Sequence, residues 1–320
     1  MASVVNSVLG PLPTERLGYT LMHEHLQVGW VGFNLDSTWK GQDRDERLES
    51  CTERLAELAA LGVKSFVDPC PMELGRDPEF MAEVSSRSGV NIICSTGLYK
   101  EDLGLPSYFR QRSTEEIAEL YTKELTEGIG GTGIKAGIIK CATGVGAITP
   151  SEEKALRAAG RASRATSVPI ITHTDNGSLG DKQLDLFLAE GAEPARIAIG
   201  HSDGTADLKY HLSLMERGAY VSFDRIGLEL LMPDALRLAC LAGLIAGGRT
   251  RQLFMSQDHV NCWLGRTPPR PPEVEKYMAQ RRFTYLLKEF IPKLLACGVS
   301  PAAVQTIMVE NPRRYFEGRK

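Results

Sequence analysis

Short apolar runs rich in β-branched residues recur along the chain: Tyr19–Met22, VKSFVD from Val63, NIICST from Asn91, IKAGIIK from Ile134, VPIITH from Val168, RIAIGH from Arg196, AYVSFD from Ala219 and RQLFMSQD from Arg251. Both alternating faces of these runs are largely apolar, the pattern of parallel strands covered by helices on their outer side. Between them lie stretches of helical periodicity at 44–62, 113–129 and 151–166. The last opens on Thr149-Pro150-Ser151, a helix-start signal. Eight strands alternating with helices over roughly 300 residues predict a (β/α)8 (TIM) barrel rather than two dinucleotide-binding halves. No G-x-G-x-x-G follows the first strand. One barrel domain spanning 1–320 is the expectation.

Composition narrows the class without changing it. The hydrophobic content of 42% and charged content of 24% are those of a globular domain. A net charge of −3, with the two signs interspersed, gives no basis for binding nucleic acid or an anionic membrane. The first residues carry no basic stretch followed by an apolar one, and no apolar run reaches membrane-spanning length. Seven cysteines without C-x-x-C spacing read as free thiols of a reducing compartment, so a cytoplasmic location is expected.

The chemistry gathers where the strands end. In a barrel of this kind the site lies at the C-terminal ends of the strands. The first strand runs into His23-Glu24-His25, the fourth ends in Lys140, the fifth in His173, the sixth in His201 and the eighth in Asp258. Side chains alternate along a strand, so His23 and His25 should share a face and Glu24 should point away. Taken singly, each is a polar residue closing a strand; together, four of six histidines converge on one rim. Four imidazoles and a carboxylate suit one or two borderline divalent metals such as zinc, manganese or cobalt. Lys140 fits only with its charge removed, by deprotonation or by carbamylation to a carboxylate. His211 falls in a helical stretch and is expected at the surface, whereas His259, beside Asp258, is expected at the mouth.

TLMHEHL, IITHT, IGHSD and FDRIG, together with the closing ENPRRYF, resemble the phosphotriesterase family of the binuclear amidohydrolases, most of all its phosphotriesterase-like lactonases. The likeness runs from about residue 9 to 316. It implies a distorted (β/α)8 barrel and two divalent ions, zinc or manganese, cobalt or iron. His23, His25 and Asp258 would hold the buried ion, and His173 and His201 the exposed one. Lys140 as N6-carboxylysine and a hydroxide would bridge them, the hydroxide attacking the substrate and Asp258 carrying the proton. The resemblance also implies a homodimer.

Substrate choice rests on the surrounding residues. The phosphotriesterases proper carry histidine where this chain has Arg225, whereas the lactonases pair an Asp-Arg there with a tyrosine after the third strand, here Tyr99. Both side chains can hydrogen-bond a carbonyl or a departing alkoxide; their plain alternatives are a packed aromatic and a rim salt bridge. Two departures from the family, Gly204 after His201-Ser202-Asp203 and Gln257 in Ser256-Gln257-Asp258, weaken a His–Asp proton relay and leave Asp258 as the shuttle. The loops 227–236 and 259–278 supply a lid, with Leu228 and Trp263 facing the substrate. The expectation is a hydrolase of lactones, either N-acyl-homoserine lactones of the kind degraded in quorum quenching or simple γ/δ-lactones. Organophosphate triester hydrolysis would be a weak side activity, and its rivals are that same hydrolysis as the main activity, an amidase of the superfamily, or a barrel that only binds.

Overall fold

The computed structural model describes residues 3–267 and 269–319. Met1, Ala2, Lys320 and Pro268 of the lid loop lie outside the described residues. All eight apolar runs form strands: β1 Tyr19–Leu21, β2 Val63–Asp68, β3 Asn91–Gly97, β4 Ile138–Ala142, β5 Ile170–His173, β6 Ile197–Ile199, β7 Tyr220–Phe223 and β8 Leu253–Met255. They pair in parallel in chain order from β1 to β8. Helices separate them in turn: α1 Arg44–Ala60, α2 Pro78–Ser88, α3 Thr114–Thr126, α4 Pro150–Thr166, α5 Gly180–Ala189, α6 Leu208–Glu216 and α7 Asp234–Ala246. After β8 comes α8, Pro272–Gln280. Between β8 and β1 the amide of Asp258 donates to the carbonyl of His23 (3.1 Å) and the amide of His23 to Ser256 Oγ (3.0 Å), so the sheet is nearly closed. This is a TIM barrel.

Alternation along each strand sorts the core into two layers. Val67, Ile93, Ile138, Ile171, Ala198, Tyr220 and Phe254, one from each of β2 to β8, share a buried cluster with Val5, Leu12 and Tyr315 that fills the barrel. Their neighbours Phe66, Ile92, Ile139, Ile170, Ile197, Val221 and Leu253 pack in the other cluster with the helices. Lys140 and His173 lie two residues beyond Ile138 and Ile171, so the same alternation aims both inward at the C-terminal end. The helix starts are local: Thr149, Ser113 and Asp43 each accept from the amide three residues on, in capping boxes closed by Glu152, Glu116 and Glu46.

Two features were not evident from pattern. Val4–Ser7 and Gly10–Pro13 form an antiparallel hairpin whose Val5 and Leu12 join the cluster that fills the barrel. His25–Gly29 is a separate strand, paired in parallel with Val260–Leu264. His23 and His25 therefore do not share one uninterrupted strand. The chain leaves the sheet after Leu21 and resumes pairing at His25 with a segment from the other end of the sequence. No helix among the described residues is long and apolar enough to cross a membrane. All seven cysteines are free thiols, and only Cys297 is exposed.

Candidate metal centre and active site

The structure brings the six strand-end residues together. The His23 and His25 rings are 5.3 Å apart between centroids, His23 and His201 4.9 Å, and His173 and His201 4.5 Å. Lys140 Nζ is 3.2 Å from His23 Nε2. Asp258 Oδ1 lies 3.6 Å from His23 Nε2 and 3.4 Å from His25 Nε2, and its Oδ2 lies 3.7 Å from His201 Nε2. Glu24 points away, although by its own contacts and not by strand alternation: Ser256 Oγ (2.8 Å) and the amides of Gln257 (2.8 Å) and His259 (3.0 Å) all donate to its carboxylate. It clasps the turn that presents Asp258, a role sequence reasoning missed although the residue sits between the two histidines.

Two further carboxylates escaped the sequence reading, Asp68 at the end of β2 and Asp224 just beyond β7. His25 Nδ1 donates to Asp68 (2.8 Å). Asp224 accepts from His23 Nδ1 (2.9 Å) and, on its other oxygen, from both His201 Nδ1 (2.7 Å) and the His201 amide (2.8 Å). Each of these rings is thus fixed by one nitrogen and turns Nε2 toward the cavity. His173 is reversed: its Nε2 donates to Asp175 (2.7 Å) and its Nδ1 accepts from the Tyr99 hydroxyl (3.0 Å). Their signal in sequence was only a strand-end Asp beside a strand-end His, which is too common to single out.

This donor set fits divalent ions. Two atoms each bound at about 2.1 Å in a tetrahedral site lie about 3.4 Å apart, close to the spacing of Asp258 from His23, His25 and His201. The second nitrogens of His23, His25 and His201 are held by carboxylates, the usual support of metal-ligating histidines. The His173 Nδ1 lone pair is instead taken by the Tyr99 hydroxyl and would ligate only once that bond is given up. Electrostatics divide the set: against its burial, His25 is raised to about 9 by its hydrogen bonds to Asp258 and Asp68, and the other groups shift as a metal site requires. Desolvation pushes the Asp258 carboxyl up, yet neighbouring histidines and Arg225 hold it well below the ordinary range. Burial lowers Lys140 to about 8, so the uncharged amine that carbamylation needs is accessible near neutral pH. His23 is lowered to about 3, by burial first and by Lys140 second, which keeps its imidazole neutral as ligation requires.

His201 and Asp258 adopt left-handed backbone, with φ of 52° and 48°. Non-glycine residues take this conformation seldom and at a cost of order 1 kcal/mol or more, and they cluster at functional sites. Here the strain re-aims both side chains past the strand ends: β6 stops at Ile199 and β8 at Met255.

The centre opens into a cavity of about 490 Å³ lined by all six residues and by Tyr99, Arg225, Leu228, His259 and Trp263. Arg225 Nε donates to Asp258 Oδ2 (3.1 Å), and Asp203 fixes its backbone amide (3.0 Å). Asp203 also pairs with the buried Arg237 (2.7 Å), which in turn holds Asp234 (2.9 Å) and so braces the loop carrying Arg225 and Leu228. Leu230 and Leu231 are half exposed and turn away from the cavity. His259 lines the cavity, as expected. His211 does not lie at the surface. It is fully buried on the inner side of α6, with Nε2 donating to the Ser202 carbonyl (2.8 Å) and its ring against Phe223. A polar residue in an amphipathic helix reads as solvent-facing until a partner for its nitrogen is known.

Comparison with known proteins agrees with this geometry. The chain is 34% identical to an aryldialkylphosphatase of Saccharolobus solfataricus over 95% of its own length and 96% of the relative's. Among solved structures it is similar to a mutant of a PTE-like lactonase from Deinococcus radiodurans, with a TM-score of 0.93, 40% identity, and 98% and 99% of the two chains covered. An organophosphorus hydrolase from the same organism aligns with a TM-score of 0.94 and 39% identity over 99% of each chain. With the model of the phosphotriesterase family matching residues 3–316 as well, the chain belongs to that family.

Proposed function

We propose that this hydrolase of the phosphotriesterase family opens lactone rings, simple γ/δ-lactones or N-acyl-homoserine lactones, and cleaves organophosphate triesters only weakly. His23, His25 and Asp258 would hold one divalent ion and His173 and His201 a second, with Lys140, as N6-carboxylysine, between them. When bound, such a pair supplies Lewis-acid polarisation of the substrate oxygen and an activated water. The rest falls to the chain's own groups. Asp258 accepts the proton of the attacking water and delivers it toward the leaving oxygen. Tyr99 and Arg225 donate to the carbonyl or to the departing alkoxide, while Leu228 and Trp263 seat the apolar part of the substrate.

The observation carrying this reading is the pair of donors beside the centre: the Arg225 guanidinium 3.1 Å from Asp258 and the Tyr99 hydroxyl 3.0 Å from His173. An alkoxide is a far poorer leaving group than a nitrophenolate, so a donor there helps lactones more than activated aryl phosphates. The resemblance to a lactonase structure supports the same assignment, and the aryldialkylphosphatase and organophosphorus hydrolase relatives support the side activity. We take the active form as a homodimer.

The test compares kcat/KM for a δ-lactone, an N-acyl-homoserine lactone, paraoxon and an acylated amine in wild type and Arg225→His, with metal content measured in each. Lactones should be the best substrates, and Arg225→His should lower their kcat/KM by at least about tenfold. Paraoxon turnover should fall less or rise. Equal losses on lactone and paraoxon, or faster wild-type turnover of paraoxon or the amide, would overturn the assignment.

A further inference from the structure

The cavity wall carries more positive charge than the proposed chemistry uses. Besides Lys140, its cationic residues are Arg54, Arg225, Arg270, Arg281 and Arg282, against Asp258 and Glu275 as the acidic ones. Arg225 is paired with Asp258 (3.1 Å) and Arg54 with Glu57 (2.9 Å). The other three have no carboxylate partner among the described residues. Arg270 places its guanidinium over the Trp263 ring, 5.8 Å from the centroid. Arg281 donates to the Gln257 carbonyl, and Arg282 to the carbonyls of Ala279 and Arg281 (both 2.7 Å). All three belong to the segment that contains α8, the outer part of the wall, whereas the histidines, Lys140 and Asp258 form its floor.

Guanidiniums that line one cavity without a paired carboxylate present fixed N–H donors and positive charge that an anion seated beside them would engage. A neutral acyl chain laid over them would engage none of these donors, and the Trp263 face that would pack it is shared with Arg270. The scissile ester must reach the floor, so the charge these residues match belongs at the far end of the substrate. We propose that the preferred lactone carries an anionic group, a carboxylate or a phosphate monoester, remote from the scissile ester, and that Arg270, Arg281 and Arg282 select it. This rests on the lactonase reading and makes uncharged homoserine lactones secondary substrates.

The test uses three lactones of one ring size whose side arm ends in a methyl, a carboxylate or a phosphate. Wild type should prefer at least one charged lactone over the neutral one by about tenfold or more in kcat/KM, with the difference in KM and shrinking as salt is raised. The two charged arms identify which anion is meant. In Arg270→Gln and Arg282→Gln the charged-to-neutral ratio should fall severalfold. Arg281→Lys, which keeps the charge, should lower it less than Arg281→Gln. Lys123→Gln, an exposed charge loss on α3, should leave the ratio where it was. A neutral lactone as the best substrate, or variants that slow all three equally, would overturn the proposal. If no lactone is opened, the lactonase reading fails by itself, and the subsite is read from inhibition of paraoxon turnover. A sugar phosphate should then inhibit more strongly than its parent sugar in wild type and lose that advantage in Arg282→Gln, and equal inhibition by the two would overturn it.

Discussion

Asp224 fixes two imidazoles with one carboxylate, receiving His23 Nδ1 on one oxygen and His201 Nδ1 on the other. An asparagine there keeps one acceptor and turns an amide N–H₂ against the second ring, so Asp224→Asn should release either His23 or His201 from its orientation. Loss of such outer support typically lowers metal affinity about 10- to 100-fold. Chelator competition on the metal-loaded protein should find that loss, and metal retention equal to wild type would refute it. His23, His25, His173 and His201 were legible in sequence because a scarce residue type stood at strand ends, and Lys140 and Asp258 because they closed strands of the same set. Asp68, Asp224 and Glu24 were not, because a carboxylate reveals its role only through the group that it faces.

At the scale of elements, close strand approach sets the tolerance of the site. Gly97 ends β3 at φ 124°, opposite Lys140 in the register, and a Cβ there would lie 1.9 Å from the Lys140 carbonyl oxygen. Neither the backbone conformation nor the space admits a side chain. Gly97→Ala should displace β4, costing on the order of 3 kcal/mol or more and lowering both Tm and metal content. A variant melting within a degree or two of wild type would show that the strands yield at no cost. The eight barrel strands were readable because each is apolar on both faces and lies between amphipathic helices. The N-terminal hairpin and the pairing of His25–Gly29 with Val260–Leu264 were hidden, the first being very short and the second joining segments more than 200 residues apart in sequence.

For the whole molecule, one buried group ties stability to pH. Burial lifts the Glu73 carboxyl from 4.5 to about 7, against the Tyr99 amide that donates to it and the charge of Arg76, itself paired with Glu124. The folded chain holds this proton up to about 7 and the unfolded chain only to 4.5, so folding takes up a proton between those values. The associated stability is full below about 4.5 and is lost as pH rises through about 7. Glu73→Gln has no proton to lose. Its Tm relative to wild type should therefore climb between pH 5 and pH 8, by an amount equivalent to about 1–3 kcal/mol, and a difference constant across that range would exclude the effect. Sequence alone determined the barrel, its strand order and the six residues of the candidate centre, because strand and helix periods and the strand-end rule act over a few neighbouring positions. Tertiary structure alone decided which nitrogen of each histidine faces the cavity, that His211 is buried, that His201 and Asp258 reach the centre through left-handed backbone, and that Arg270, Arg281 and Arg282 lack carboxylate partners among the described residues. Those properties depend on groups brought together by closure of the barrel, and local periodicity carries no record of them.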